Sequence, residues 1–206
     1  MKIFYIMGKS SSGKDTIFNI IKDKLKMNTY VMYTTRPIRE GEEDGKTYHY
    51  ISDEVMQKYI DGKMPQELIE KRTYQTIHGN WTYATIKDEQ FNSKEDMLMI
   101  GTLESYNKIK EKMKENIEPV YIEVEDGLRL ERAIKREQKE PNPKYLELCR
   151  RFIADSKDFS EENIKKAGIE RRFQNNELDE CVKEITNYIA KEKQRIEEIK
   201  REWKSK

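Results

Sequence analysis

Seven residues near the start of the chain, Gly8-Lys9-Ser10-Ser11-Ser12-Gly13-Lys14, carry the first chemistry that the sequence offers. Their G-x-x-x-x-G-K spacing is that of a phosphate-binding loop, whose glycines let consecutive backbone N–H groups converge on phosphate oxygens. A helix leaving directly from such a loop adds positive potential at its N-terminus, and Lys14 is placed to reach the terminal phosphates of a nucleotide and stabilise charge as a phosphoryl group transfers. The candidate nucleotide-binding set is therefore Gly8, Ser10, Ser11, Ser12, Gly13, Lys14, Asp15 and Thr16. Where the motif ordinarily places a Ser or Thr whose hydroxyl meets Mg²⁺, this chain has Asp15, with Thr16 next. Asp15 has two readings: a metal ligand, direct or through water, and an acidic first-turn residue favoured by the helix dipole.

A second group lies in Tyr33-Thr34-Thr35-Arg36-Pro37-Ile38-Arg39-Glu40-Gly41-Glu42, followed by Asp44-Gly45-Lys46-Thr47-Tyr48-His49-Tyr50. Two guanidinium forks beside hydroxyl side chains suit a phosphate monoester. An Arg-x-x-Arg alone is more often a solvated loop, so its weight comes from the phosphate loop that precedes it. His49 and His78 have no carboxylate or cysteine companions at metal spacing and read as ordinary loop residues. No Ser-His-Asp set, zinc pattern or dinucleotide fingerprint competes with the loop.

The elements that must position these groups follow from pattern. Lys2 to Met7 is a β-branched and aromatic run ending at Gly8, as a buried strand meeting a turn would be. Ile17, Ile20, Ile21 and Leu25 fall at helical spacing, which predicts an amphipathic helix over residues 14 to 26. Tyr30 to Tyr33 is a candidate second strand, residues 39 to 47 an exposed connection, 53 to 61 a helix, and 67 to 86 a Thr- and Tyr-rich region of small strands. Met97 to Ile100 and Val120 to Val124 are short apolar runs, each followed by a helical pattern, as a parallel sheet with crossover helices requires. Residues 126 to 166 read as charged helix broken at Pro141-Asn142-Pro143, which suggests a hinged lid. Val182 to Trp203 is helical, with Ile185, Ile189, Ile196 and Ile199 in phase and a solvated, Lys- and Glu-rich end.

Together the phosphate loop and the arginine segment resemble the guanylate kinases, whose signature reads T-T-R-x-P-R-x-G-E…G-x-x-Y. The resemblance covers about residues 1 to 190. It implies an α/β fold: a P-loop NTPase core with a central parallel sheet and flanking helices, a small monophosphate-binding lobe and a helical lid. The expected parts are a core over about 1–32, 87–125 and 167–190, a lobe over 33–86, a lid over 126–166 and a charged helical extension from about 190 to 206. The resemblance also implies ATP with Mg²⁺ as donor, and roles for Arg36, Arg39 and Tyr48 on the acceptor phosphate. Leu68-Ile69-Glu70 looks like the segment whose glutamate meets the guanine base, and Tyr83-Ala84-Thr85 looks like the family's Y-G-[ST]. A carboxylate suits guanine's N1–H and N2 donors, and adenine offers no such pair. The bland reading of Glu70 is a surface charge near a strand. Tyr74, Trp81 and Tyr83 are a base platform or simply lobe packing.

In the lid, Arg132, Arg136 and one of Arg150 and Arg151 resemble the family's arginines that close on the transferring phosphates; an exposed ionic helix is the alternative reading. Asn175 falls where the family has an asparagine near the donor adenine. The chain departs from the family at Met99-Ile100-Gly101-Thr102-Leu103-Glu104, which lacks the acidic pair near the acceptor base and places Thr102 in one of those positions. Met32 stands where a serine is usual.

The expected activity is phosphoryl transfer from ATP to a nucleoside monophosphate, GMP or dGMP first. Alternatives are a different (deoxy)nucleoside monophosphate and a noncatalytic binding module. With 40 Lys+Arg against 39 Asp+Glu the net charge is +1, so no global pull on nucleic acid is expected and any anion site must be built locally. The opening run is too short for a signal or membrane segment, and Cys149 and Cys181 read as free thiols, which together suggest a soluble, cytoplasmic protein. The expected partners are small-molecule nucleotides, with neither nucleic acid nor membrane, and the expected state is a monomer or homodimer.

Overall fold

A computed structural model describes residues 1–76, 79–93 and 95–204; His78 lies outside them. The first strand, β1 (Ile3–Met7), is buried at every position, as a parallel strand covered on both faces must be. Alternate residues feed two cores: Ile3, Tyr5 and Met7 pack with Met97, Met99, Tyr106 and Tyr121, while Phe4 and Ile6 pack with Ile17, Ile21, Leu98, Ile122, Phe173 and Ile185. The helix α1 (Lys14–Leu25) starts from Gly13, which has φ 83°, and buries Ile17 and Ile21 against the sheet.

The apolar run expected to form a second strand at Tyr30–Tyr33 instead bridges two sheets. Only β2 (Asn28–Thr29) joins the parallel sheet, and β3 (Tyr33–Thr34) belongs to another. Between them Tyr30 is buried where the sheets meet: its N–H donates to the Leu98 carbonyl, while its hydroxyl donates to the Ile86 carbonyl and accepts from the Ile86 N–H, each at 2.8 Å. The hydrophobicity read as a strand is thus used in a junction.

The second sheet is completed by β4 (His49–Tyr50), β5 (Glu67–Thr76) and β6 (Gly79–Lys87), in the order β4-β3-β6-β5. His49 therefore lies in a strand, its ring stacked on Tyr33 at 4.7 Å. α2 (Asp53–Ile60) begins at Ser52, whose hydroxyl accepts from the Val55 N–H, and covers the apolar face of this sheet with Met56 and Tyr59.

A bulge in β5 decides which side chains face the site. Leu68 pairs with Ile86, but Glu70 pairs with Thr85, so Ile69 and Glu70 together oppose one residue. A regular ladder would have put Glu70 on the same face as Leu68, among the apolar residues under α2. The inserted residue turns Glu70, Arg72 and Tyr74 to the Thr85 and Tyr83 face and sends Ile69 into the main core.

The chain returns to the first sheet with β7 (Met97–Gly101), α3 (Leu103–Met113) and β8 (Ile117–Glu123). Three helices follow, α4 (Asp126–Glu137), α5 (Tyr145–Asp158) and α6 (Glu161–Lys166), with the double-proline segment between the first two as expected. β9 (Arg172–Gln174) completes the order β2-β7-β1-β8-β9, parallel throughout. The last helix, α7 (Leu178–Lys204), is continuous through residue 190 and packs Val182, Ile185 and Ile189 on the sheet.

Candidate active site

Both glycines of the loop between β1 and α1 are required by space. A Cβ on Gly8 would sit 2.5 Å from the Ile122 carbonyl oxygen, and one on Gly13 would sit 2.4 Å from Asn175 Nδ2. Gly13 also holds a positive φ that side chains other than glycine adopt with strain. The helix has no side-chain cap there, so its first N–H groups are open to an anion. The hydroxyls of Ser11 and Ser12 are buried without a hydrogen-bond partner, which is the condition of donors awaiting a ligand. Lys14 Nζ lies 3.1 Å from Asp15 Oδ2; Lys14 is mostly covered, whereas Asp15 and Thr16 are exposed at the start of the helix.

Residues that the motif does not include hold this loop in place. Ser10 N–H donates to Asp155 Oδ2 at 2.7 Å, and Lys9 Nζ pairs with Asp126 at 3.2 Å. Arg129, 1% exposed, joins the two carboxylates: it donates to Asp126 at 3.0 and 3.1 Å, lies 3.5 Å from Asp155, reaches the Ser10 carbonyl and stacks on Phe152 at 3.9 Å. Asn175 is buried, donating through Nδ2 to the Ser12 carbonyl at 2.8 Å, with its Oδ1 unpartnered. Arg132 donates to the carbonyls of Asn175 and Asn176. Arg129 and Asp155 escaped sequence reading because a helix rich in charges gives no sign of which one is buried.

The other predicted arginines are placed differently. Arg136 is exposed. Arg150 and Arg151 are both largely exposed and share Glu147, at 2.7 and 2.8 Å, and the two arginines hold that carboxyl at about 2, with Arg150 the larger influence. Among the described residues no hydrogen bond joins Arg136 or Arg151 to the phosphate loop.

On the second sheet, Arg36 is 3% exposed, donates to Glu42 Oε1 at 2.7 Å and to the Pro37 carbonyl, and lies over the Tyr48 and Tyr50 rings. The Glu42 carboxyl is lowered to about 2, first by Arg36 and further by the Tyr50 hydroxyl and the Arg39 N–H. Glu42 thus orders the arginine segment, a role that its place in the motif did not reveal. Arg39 is exposed, above the Trp81 ring. Tyr48 meets Tyr83 edge-on at 5.6 Å, and Tyr83 meets Tyr74 at 5.8 Å. Burial raises the Tyr48 hydroxyl above the ordinary phenol range, and Tyr83 adds to that rise, while Arg36 and Arg72 oppose it.

At the far end of this row Glu70 is buried, not the surface charge of the bland reading. Its Oε1 accepts from Thr85 Oγ1 at 3.1 Å and from Arg72 at 3.4 Å, and its Oε2 is buried without a partner. Thr102 caps α3, its hydroxyl accepting from the Ser105 N–H. Among the described residues no cluster of three His, Cys, Asp or Glu side chains could hold a metal, and no helix is long and apolar enough to cross a membrane.

The sequence model of guanylate kinases matches residues 1–192. The chain belongs to the guanylate kinase family. Relatives named guanylate kinase include one from Cupriavidus metallidurans, 26% identical over 91% of this chain and 82% of its own, and one from Paraburkholderia xenovorans, 28% identical over 74% and 64%. A third, from Fusobacterium nucleatum, is 30% identical over 42% of this chain and 43% of its own, so the match spans less than two thirds of the length of the last two. Among solved structures, the guanylate kinase of Anaplasma phagocytophilum superposes with a TM-score of 0.61 at 21% identity, covering 93% of this chain and 85% of that one. A gluconokinase from Sinorhizobium meliloti superposes at 0.51 with 14% identity, covering 95% of each. Guanylate kinases thus share this fold with a kinase named for another acceptor, and substrate choice must be read from the site.

Proposed function

We propose that this protein transfers the terminal phosphoryl group of ATP to a guanine nucleoside monophosphate, GMP or dGMP. The observation that carries the reading is the buried Glu70 with its unpartnered Oε2, at one end of a row of Arg72, Tyr83, Tyr48 and Arg36. A buried acceptor without a donor fits the N1–H and N2 donors of guanine.

In this reading the nucleotide's phosphates lie on residues 8 to 16, where the orphaned Ser11 and Ser12 hydroxyls and the open helix end fit an anion. Mg²⁺ would be held by oxygens of Asp15 and Thr16 together with phosphates, since this ion commonly takes only one or two protein ligands, and it would neutralise phosphate charge. Lys14 leaves Asp15 for the phosphates. Arg36, Arg39, Tyr48 and Tyr83 orient the acceptor phosphate, and Glu70 with Thr85 holds the base; Thr102, which caps α3, is assigned to the acceptor as well. Asn175 and Arg132 hold the loop and its neighbouring backbone. Ionised acceptor phosphate needs no strong general base, so positioning and charge neutralisation carry the rate.

We assign the core to residues 1–32, 87–125 and 167–190, the acceptor lobe to 33–86 and the lid to 126–166, with a helical extension from about 190. The second sheet falls almost wholly inside the lobe and α4 to α6 inside the lid, which supports this division. Closure of the lid carries Arg136 and Arg151 to the phosphates and excludes water.

An ADP-release assay with ATP–Mg²⁺ and each of GMP, dGMP, AMP, CMP and UMP tests the proposal. GMP and dGMP are expected to turn over, and Lys14→Ala to reduce the rate at least about a hundredfold. Binding of ATP without turnover of any acceptor would overturn it.

A further inference from the structure

Arg72 belongs to no motif, yet it occupies the acceptor end of the site. It lines a cavity of about 590 Å³ with Glu70, Tyr74, Glu104 and Lys108. Its side chain is 8% exposed. Nη1 lies 3.4 Å from Glu70 Oε1, Nη2 lies 3.6 Å from Met32 Sδ, and the guanidinium carbon is 6.0 Å from the Tyr83 ring centre. The first contact is long, and a thioether is a weak acceptor.

A guanidinium has five N–H donors. Two are in use here, weakly, among the described residues. Removing a cation from water with so little in return is costly, and proteins retain such groups where a ligand completes them. Glu70 is in the complementary state, its Oε2 buried and unpartnered. Strand alternation puts the two on one face, two positions apart, and the β5 bulge turns that face towards Thr85 and Tyr83, so they present one free acceptor beside a set of free donors.

We infer that Glu70 and Arg72 together read the lactam edge of a purine, Glu70 Oε2 accepting from the ring N–H and Arg72 donating to the adjacent carbonyl oxygen, so that Arg72 is a specificity-determining residue. The inference rests on the acceptor site proposed above. Guanine and hypoxanthine present N1–H beside O6. Adenine presents an unprotonated N1 beside an amino group, which would set acceptor against carboxylate and donor against guanidinium. Arginine suits this task because a guanidinium is a good donor to guanine O6, as in the commonest specific contact that proteins make with that base in DNA.

The test compares GMP, IMP, AMP and 6-thio-GMP, which keeps N1–H but replaces O6 with sulfur, a poor acceptor. The wild type is expected to lose about tenfold or more in kcat/KM from GMP to 6-thio-GMP, to use IMP, and to reject AMP. Arg72→Ala should raise KM for GMP about tenfold, leave kcat within about threefold, and bring GMP and 6-thio-GMP within about twofold of each other; Arg72→Lys should restore part of the preference. The wild-type comparison of GMP with 6-thio-GMP needs no variant, so equal use of the two overturns the inference even if Arg72→Ala fails to fold. An undiminished GMP preference in Arg72→Ala also overturns it. If the wild type phosphorylates no monophosphate, the acceptor-site proposal itself fails; if it phosphorylates GMP but shows no O6 dependence, only the role of Arg72 fails.

Discussion

Arg36 is held by Glu42 before any ligand arrives, and that carboxyl is itself bonded to Tyr50 and the Arg39 backbone. In its proposed role on the acceptor phosphate, an arginine fixed in this way loses little freedom on binding, which is how a second layer raises affinity without touching the ligand. The same network makes a pH statement. Glu42 has a folded value of about 2 against an ordinary value of 4.5. A carboxyl lowered on folding stabilises the native state above its unfolded value, and that stabilisation is lost as pH falls from about 4.5 towards about 2. Thermal melting of the wild type should therefore fall more steeply across that window than melting of Glu42→Gln. Parallel melting curves for the two proteins would mean that the Arg36 contact is not formed in solution.

At the scale of elements, the loop between β1 and α1 depends on α4 and α5. Arg129 from α4 and Asp155 from α5 both reach Ser10, and Asn175, just after β9, supports Ser12. Arg129 is buried but Asp126 is half exposed, so removing the arginine leaves carboxylates that water partly compensates, at a cost near the low end of the range of about 3–5 kcal/mol for a fully buried pair. Arg129→Ala should lower the unfolding free energy measured by denaturant titration by an amount of that order, whereas Arg132→Ala, which gives up only bonds to backbone carbonyls, should cost about 1–3 kcal/mol. Equal losses from the two would show that the Asp126–Arg129–Asp155 set contributes no more than ordinary hydrogen bonds. The bulge in β5 works at this scale too: one extra residue in a strand decides whether Glu70 faces a ligand or the apolar underside of the sheet.

Over the whole molecule, nearly balanced charge leaves recognition to local sites, and the two thiols are separated by burial alone. Cys149 is exposed on α5, whereas Cys181 is buried where α7 packs on the sheet, and burial pushes its thiol up to about 11. One thiol per chain should react promptly with a maleimide at pH 7.5, and the second only after unfolding. Two prompt equivalents would mean that the contact of α7 with the sheet opens readily. By itself, the sequence determined the strand, loop and helix of residues 3 to 25, the helices on either side of the proline break and, through the segments at residues 8–14 and 33–50, the family, because each is a local pattern of spacing or periodicity. It also placed an apolar segment at Tyr30–Tyr33, but its use as a junction between sheets depends on partners such as Leu98 and Ile86, far away in the chain. The pairing of Arg72 with Glu70, the burial of Arg129 among other charged helix residues and the turn of Arg150 and Arg151 towards Glu147 were decided only by tertiary structure. Charged side chains look alike in a sequence, and which of them is desolvated, and by what, is a property of the surfaces that folding brings together.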